Sequence, residues 1–244
     1  MLGKLMKYEI RRAALPFAVL YGIMILLSIW IKLTDTAEPS SSHAFIVTLP
    51  LIYGTAGINV WRYYQRTFTN EAAFEYSLPF GNRKFFFGQL VVMLIFSAVS
   101  TIVHAMTLLL IGNAPGEMIQ MLNPISAAAL FSETAFSMFF LSVELSALLS
   151  IAGLFPFRKK QKVWFAVFFL LSFGIDYLEK LLEKYLSLGN IFINGDGSIT
   201  LRAMPVKGFA VNVSVVGMIC EAGIAAISIL FLYWYIQKAL VVTE

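Results

Sequence analysis

The sequence predicts an all-α polytopic membrane protein with six transmembrane helices and both termini in the cytoplasm. The 244-residue chain is 59% hydrophobic and only 13% charged, with a mean hydropathy of +0.79. Soluble domains carry about 25% charged residues, so this composition is typical of a membrane protein. Its Lys and Arg residues lie at the ends of apolar segments and form no single basic patch, which argues against a nucleic-acid partner and for a lipid bilayer.

Six apolar segments are long enough, or nearly long enough, to cross a bilayer as helices, which takes about 20 residues. The predicted spans are residues 14–31, 44–61, 85–111, 125–155, 163–177 and 209–236. Residues 1–12 precede them as a short amphipathic helix, which we expect to lie in the membrane interface. No small-residue cleavage site follows the first segment, so we interpret it as a retained span and not as a signal peptide. Trp61, Tyr63 and Tyr64 predict an interfacial aromatic belt where the second span ends.

The distribution of basic residues predicts the orientation. With the N-terminus inside, cytoplasmic segments hold 13 of the 18 Lys and Arg residues and outer segments hold 5. Basic residues concentrate on the cytoplasmic side, so the bias favours this orientation.

The segment 178–207, between the fifth and sixth spans, is predicted to form a small extracellular cap. Residues 178–188 have an apolar and a charged face, as expected of an amphipathic helix. The following sequence, IFINGDGSITLR, has two β-prone runs around a glycine-rich turn, which predicts a β-hairpin.

The sequence carries none of the usual signatures of an enzyme. It has no phosphate-binding P-loop, no nucleophile elbow and only two histidines, His43 and His104. A histidine-rich metal site is therefore excluded, and we expect no catalytic residue, metal or cofactor in this chain. The single cysteine, Cys220, excludes a disulfide framework.

Ionisable residues inside or at the edges of the predicted spans are candidates for a substrate path. They are His104, Glu133, Glu144, Asp176 and Glu221. Charges at membrane depth are costly and usually face a cavity or the bundle interior. The acids could line a path for a cationic or amphipathic substrate, or couple transport to protons with His104 as a relay. Alternatively, they are protonated and hydrogen-bonded, and hold helices together.

Small residues recur on two of the predicted spans. Ser142, Ser146 and Ser150 are spaced by four residues in the fourth span, and Gly54 and Gly57 lie in the second. Such faces allow helices to approach closely, so we interpret them as packing surfaces, within the subunit or towards a second one.

Residues 68–84 form the one long polar, helix-capable stretch between two apolar spans on the predicted cytoplasmic side. Asn70 can cap a helix that Pro79 ends, which leaves about eight helical residues, roughly 12 Å in length. Glu71 and Glu75 lie on one face of this helix, where two like charges give no internal benefit, and Phe74 marks another face. We interpret the stretch as a docking site for a soluble partner; a solvated loop or an acid–base pair are the alternatives. The docking candidates are Glu71, Phe74, Glu75, Leu78, Arg83 and Lys84.

The run from Glu71 to Lys84, EAAFEYSLPFGNRK, resembles the cytoplasmic element of ABC-2 type permeases, the membrane subunits of type V ABC transporters. The N-terminal lead, with Lys7, Tyr8 and Glu9 followed by two arginines, is similar as well, and so is the overall layout. Asn82 departs from the pattern, because many relatives carry a basic residue there.

The resemblance implies a six-span half-transporter of the peptide export or immunity kind, in a bacterial plasma membrane. Residues 1–12 would be the elbow helix, and 71–78 would be a coupling helix seated in a groove of a separate ATPase. Two permeases, identical or homologous, would work with two ATPase copies, and ATP and Mg would bind to the ATPase. The substrate would be a hydrophobic or amphipathic molecule, such as a peptide. A proton-coupled secondary transporter and a non-transporting membrane sensor or scaffold remain the alternatives.

Overall fold

The computed structural model describes residues 2–34, 41–68, 82–111, 124–154, 190–193, 199–202 and 211–241, with scattered helical positions between 163 and 181. The long helices in these ranges are α1 (Leu2–Thr34), α2 (Ser41–Phe68), α3 (Asn82–Ile111), α4 (Pro124–Leu154) and α5 (Val215–Val241). The strands are β1 (Asn190–Ile193), β2 (Ile199–Arg202) and β3 (Val211–Ser214).

Two apolar clusters define the ends of the helical bundle. The proximal cluster includes Tyr63, Phe86, Ala152 and Ile236, so α2, α4 and α5 end at the level where α3 begins. The distal cluster includes the end of α1, the start of α2 and the end of α3, represented by Ile31, Val47 and Ile111. We call these the proximal and distal ends of the bundle. Since α4 and α5 both end at the proximal end, they run in the same direction.

A third cluster packs α1 against α3 in the proximal half of the bundle. It contains Ala13 and Phe17 from α1 and Val92 and Phe96 from α3. The rings of Phe17 and Phe96 stack with centroids 4.1 Å apart. Stacked aromatic pairs contribute about 0.5–1.5 kcal/mol beyond the burial of their surface, so this contact helps to hold α1 against α3.

Four helical segments in the described ranges are long and apolar enough to cross a membrane. They are Met6–Thr34, Phe85–Ile111, Phe131–Ala152 and Ile219–Lys238. The prediction of a helical membrane protein is confirmed by these segments. Helix α2, which contains the predicted second span, is not among them. Its polar residues Thr55, Asn59 and Arg66 are buried inside the bundle, so α2 need not be apolar on every face.

Helix α1 is continuous, which differs from the predicted separation of an interfacial helix at 1–12 from a span at 14–31. Glu9 and Ala13 are both buried, so contacts with the rest of the bundle extend across the predicted boundary. Pro16 lies inside the helix without ending it. A helix in a bundle tolerates proline where its surroundings satisfy the freed carbonyl.

The β-hairpin is confirmed, and a third strand extends it. β1 pairs antiparallel with β2, with Ile191 opposite Leu201, and antiparallel with β3, with Ile191 opposite Val213. β1 is therefore the central strand. This corrects the predicted start of the sixth span at residue 209, because the alternating sequence VNVS pairs with β1 and α5 begins only at Val215.

A buried polar cluster as candidate functional site

Most of the predicted docking segment lies outside the described residues. This holds for Glu71, Phe74, Glu75 and Leu78. Arg83 and Lys84 lie in the first turn of α3. The structure therefore describes the two helices that flank the segment, α2 and α3, and not the segment itself.

The predicted path acids do not share one buried site. Glu133 and Glu221 are exposed on the outside of the bundle, Glu144 is half-buried near the middle of α4, and Asp176 lies outside the described residues. The predicted sixth span, 209–236, would place Glu221 near its middle. Because α5 begins at Val215, this acid is only about 9 Å along the helix from its start.

His104 is half-buried in α3 and contacts α2. Its Nε2 lies 2.8 Å from the Thr48 hydroxyl, a hydrogen bond whose direction depends on the histidine tautomer. The contact joins two helices near the distal end. On this geometry, His104 takes part in helix packing.

Polar side chains also join α1, α2 and α3 in the middle of the bundle. Thr55 of α2 donates to the Ser100 hydroxyl of α3 at 2.8 Å, and the Tyr21 hydroxyl of α1 lies 2.8 Å from the same oxygen. Interhelical hydrogen bonds of this kind are worth about 0.6 kcal/mol on average in membrane proteins, up to about 2. Several of them together favour one arrangement of the three helices.

The serine face of α4 packs against α2 within the subunit. Asn59 donates to the Ser142 hydroxyl at 3.0 Å, while Ser142 donates to the carbonyl of Met138 at 2.8 Å. Tyr63 and Ser150 form a second link between the same helices. Ser150 already donates to a carbonyl of its own helix, so the tyrosine is the donor.

This geometry bears on two predictions. The interpretation of the serine face as a packing surface agrees with the contacts that it makes. Tyr63 is buried, so this residue does not belong to the predicted aromatic belt, whereas Trp61 is exposed.

The most unusual feature is an ion pair buried at the proximal end. The Arg66 guanidinium of α2 contacts the Glu9 carboxylate of α1, and the two residues are only 2% and 3% exposed. The guanidinium carbon of Arg66 also lies 5.4 Å from the centre of the Phe85 ring of α3, within the range of a cation–π contact. Arg66 thus contacts both α1 and α3.

Further polar groups surround this pair. We define the polar cluster as Glu9, Asn59, Arg62, Arg66 and Gln89. Together with Ala13, Val92 and Met93, these side chains line a cavity of about 20 Å³. The cluster joins α1, α2 and α3 where α2 and α3 flank the predicted docking segment.

The side chains of the polar cluster are suited to holding helices in position. It contains one carboxylate and two guanidinium groups, and arginine stays protonated in proteins and so is not a proton acceptor. A buried ion pair whose partners sit on different helices fixes their relative position, because removing either partner leaves a charge buried without compensation. Within the described residues, no group of three His, Cys, Asp or Glu side chains could hold a metal ion.

Sequence inspection missed the polar cluster, although a weak signal for it exists. Glu9 has the same helical spacing as Ala13 and Phe17, at i, i+4 and i+8, so an acid lies on the apolar face of α1. Thr55, Asn59 and Arg66 likewise lie on one face of α2. In the charge count, Arg66 is one of the 13 Lys and Arg residues on the predicted cytoplasmic side.

Comparison of the chain with protein-family models, with curated proteins and with solved structures finds no match. The class of protein therefore rests on the chain itself. It is a helical membrane protein with several apolar helices long enough to span a bilayer.

Proposed function

We propose that this chain is the permease subunit of an ATP-driven ABC exporter, working with a separate ATPase on a hydrophobic or amphipathic substrate such as a peptide. The observation that carries the proposal is the polar cluster, which ties α1, α2 and α3 together beside residues 69–81. In this proposal, residues 71–78 form the coupling helix on the cytoplasmic side, and ATP and Mg bind to the partner ATPase.

A coupling helix can move the transmembrane helices only if the helices on both sides of it are firmly attached to the bundle. At the end of α2, Arg66 bonds to Glu9 of α1, and Phe68 packs against Tyr235 of α5 with ring centroids 6.1 Å apart. At the start of α3, Phe86 packs edge-on against Tyr233 of α5 at 5.6 Å. A displacement of the coupling helix would therefore reach α1, α3 and α5 directly.

The helix directions support the six-span arrangement. α4 and α5 are parallel and are separated by the 60 residues from 155 to 214. A chain that joins two parallel helices returns from the proximal to the distal end between them, and in this proposal the predicted fifth span, 163–177, makes that crossing. Both termini then lie on the side of the coupling helix, as the charge bias predicts.

The positions of the acids favour a path between two permeases over a path within one. Glu133 and Glu221 lie on the exposed surface of the bundle, where lipid would make a charge costly. In the proposed dimer, a second permease subunit would cover the exposed surface around Glu133 and provide it with a polar environment. The alternative of a proton-coupled transporter needs Glu144 and Glu221 together with His104, whereas the His104 side chain forms a hydrogen bond with Thr48 of α2.

The association with an ATPase is tested by copurification from the source cells. The double variant Glu71→Lys/Glu75→Lys reverses both charges of the coupling helix, and we expect it to lose the ATPase that accompanies the wild-type chain. Glu38→Lys/Glu117→Lys is the matched control, because it makes the same charge change on the predicted outer side. Equal recovery of the ATPase with both variants would contradict the proposal.

The transport activity is tested with the purified complex in proteoliposomes. We expect a panel of cationic amphipathic peptides to stimulate ATP hydrolysis, and Glu133→Gln/Glu221→Gln to weaken that stimulation. Transport that proceeds without ATP and stops when the proton gradient is collapsed would favour the secondary transporter. A complex whose ATPase rate responds to no substrate would favour the sensor or scaffold.

A further inference from the structure

Glu9 and Gln89 of the polar cluster each carry a buried polar atom that has no hydrogen-bond partner among the described residues. The atoms are Oε1 of Glu9, whose other oxygen bonds to Arg66, and Nε2 of Gln89. Both residues are more than nine-tenths buried. Leaving a buried polar group unsatisfied costs about 1–3 kcal/mol, and more for a charged group, so native structures nearly always satisfy such atoms.

The two residues line the same cavity, and its size limits what can fill it. The volume of about 20 Å³ exceeds the roughly 10–15 Å³ that one water molecule needs. Glu9 belongs to α1 and Gln89 to α3, so anything bound between them connects two helices.

We propose that this cavity is a binding site for one water molecule, which accepts a hydrogen bond from Gln89 and donates one to Glu9. A water molecule can accept one hydrogen bond and donate another, which matches the donor of Gln89 and the acceptor of Glu9. Asn59 and Arg62 contribute further polar groups to the cavity wall, and a buried water typically makes about three hydrogen bonds.

The composition of the wall favours water over an ion. A cation would meet the guanidinium groups of Arg62 and Arg66, and an anion would meet the carboxylate of Glu9. A neutral, water-sized molecule avoids both repulsions. The water site stands on these residues alone and does not depend on the transport proposal.

The site is tested by X-ray hydroxyl-radical footprinting of the purified full-length chain in detergent, because radicals formed from a bound water oxidise the side chains beside it. Met93 lines the cavity and is 4% exposed. Met24 and Met138 are 2% and 0% exposed, and they belong to the distal cluster. We expect Met93 to be oxidised several-fold faster than either control, and a radical scavenger in the bulk solvent to leave this difference intact.

Oxidation of Met93 no faster than that of Met24 and Met138 would overturn the proposal. So would loss of the Met93 signal in the presence of the scavenger.

A variant that fills the cavity provides a second measurement. Ala13 lines the cavity and is buried, so Ala13→Val adds two methyl groups to the space that the water would occupy. We expect this variant to lower the oxidation of Met93 to the level of Met138. Persistence of fast Met93 oxidation in a folded Ala13→Val protein would contradict the assignment, and the wild-type experiment decides the question if the variant does not fold.

Discussion

Replacing Arg66 with methionine tests whether the buried ion pair holds α1 to α2. The substitution keeps a long side chain but removes the guanidinium, so the Glu9 carboxylate remains buried without its partner. Conversely, Glu9→Met leaves the Arg66 guanidinium buried without the Glu9 carboxylate. Both residues are almost completely buried, at 3% and 2% exposure, so solvent screening does not reduce the effect as it does for surface pairs.

The expected magnitude follows from this burial. Removing one partner of a buried ion pair lowers the free energy of unfolding by about 3–5 kcal/mol. For a chain of this size, each kcal/mol shifts the melting temperature by about 2–4 °C, so either single variant should melt about 6–20 °C below the wild type. The double variant Glu9→Met/Arg66→Met removes both charges, and such replacements are often neutral or stabilising by about 1–4 kcal/mol.

The assay is tryptophan fluorescence during heating of the detergent-purified protein. Unfolding of a membrane protein in detergent is often irreversible, so all variants are compared at one heating rate. Arg11→Met serves as the control, because Arg11 is exposed on α1 and its loss should change stability by no more than about 0.5 kcal/mol. The reasoning is refuted if the single variants melt with the control, or if the double variant loses as much as the two single variants combined.

Two further comparisons probe the packing of α2. Tyr63→Phe should lower the free energy of unfolding by about 0.5–1.5 kcal/mol, because it removes a buried hydrogen bond. Tyr53→Phe is the control and should leave the free energy unchanged, because Tyr53 is 61% exposed. Equal losses of the two variants in chemical denaturation would contradict this expectation. Gly57→Ala should raise the free energy of unfolding by about 0.5–1 kcal/mol, because a Cβ at this position meets nothing within 4 Å and alanine favours the helix. Gly54→Ala should raise the free energy of unfolding by less than Gly57→Ala, or lower it, because its Cβ would lie 2.9 Å from Leu20 Cδ1. Equal increases for the two variants would be evidence against close packing of α1 and α2.

Much of the architecture could be predicted from local sequence. The predicted spans 85–111 and 125–155 lie close to the bounds of α3 and α4, because long apolar runs with polar ends leave few alternatives in a membrane. The hairpin of β1 and β2 was predicted from its glycine-rich turn. β3 was assigned to a span because a short, valine-rich stretch suits a strand and a buried helix equally well.

The candidate site was much harder to predict. Glu9 and Arg66 are 57 residues apart, and no local pattern indicates that two charges so distant will meet in a bundle. Charge counting placed Arg66 at the membrane surface, because it assumes that a basic residue at a span end faces water. The exposure of Glu133 and Glu221 depends on which face of each helix packs inwards, and the nearly uniform apolar character of α4 and α5 does not specify that face.

The proximal cluster also constrains the order in which the protein assembles. Its residues come from α2, α3, α4 and α5, so Leu232 and Ile236 leave the ribosome after all their partners. The contact of α1 with α3 and the distal cluster include no residue of α5, so both could form early in synthesis. Tyr63 and Phe86 gain their α5 neighbours only when that helix inserts. Closing of the proximal end would then be a late step of biogenesis, and a nascent chain lacking α5 would expose this apolar surface to quality control.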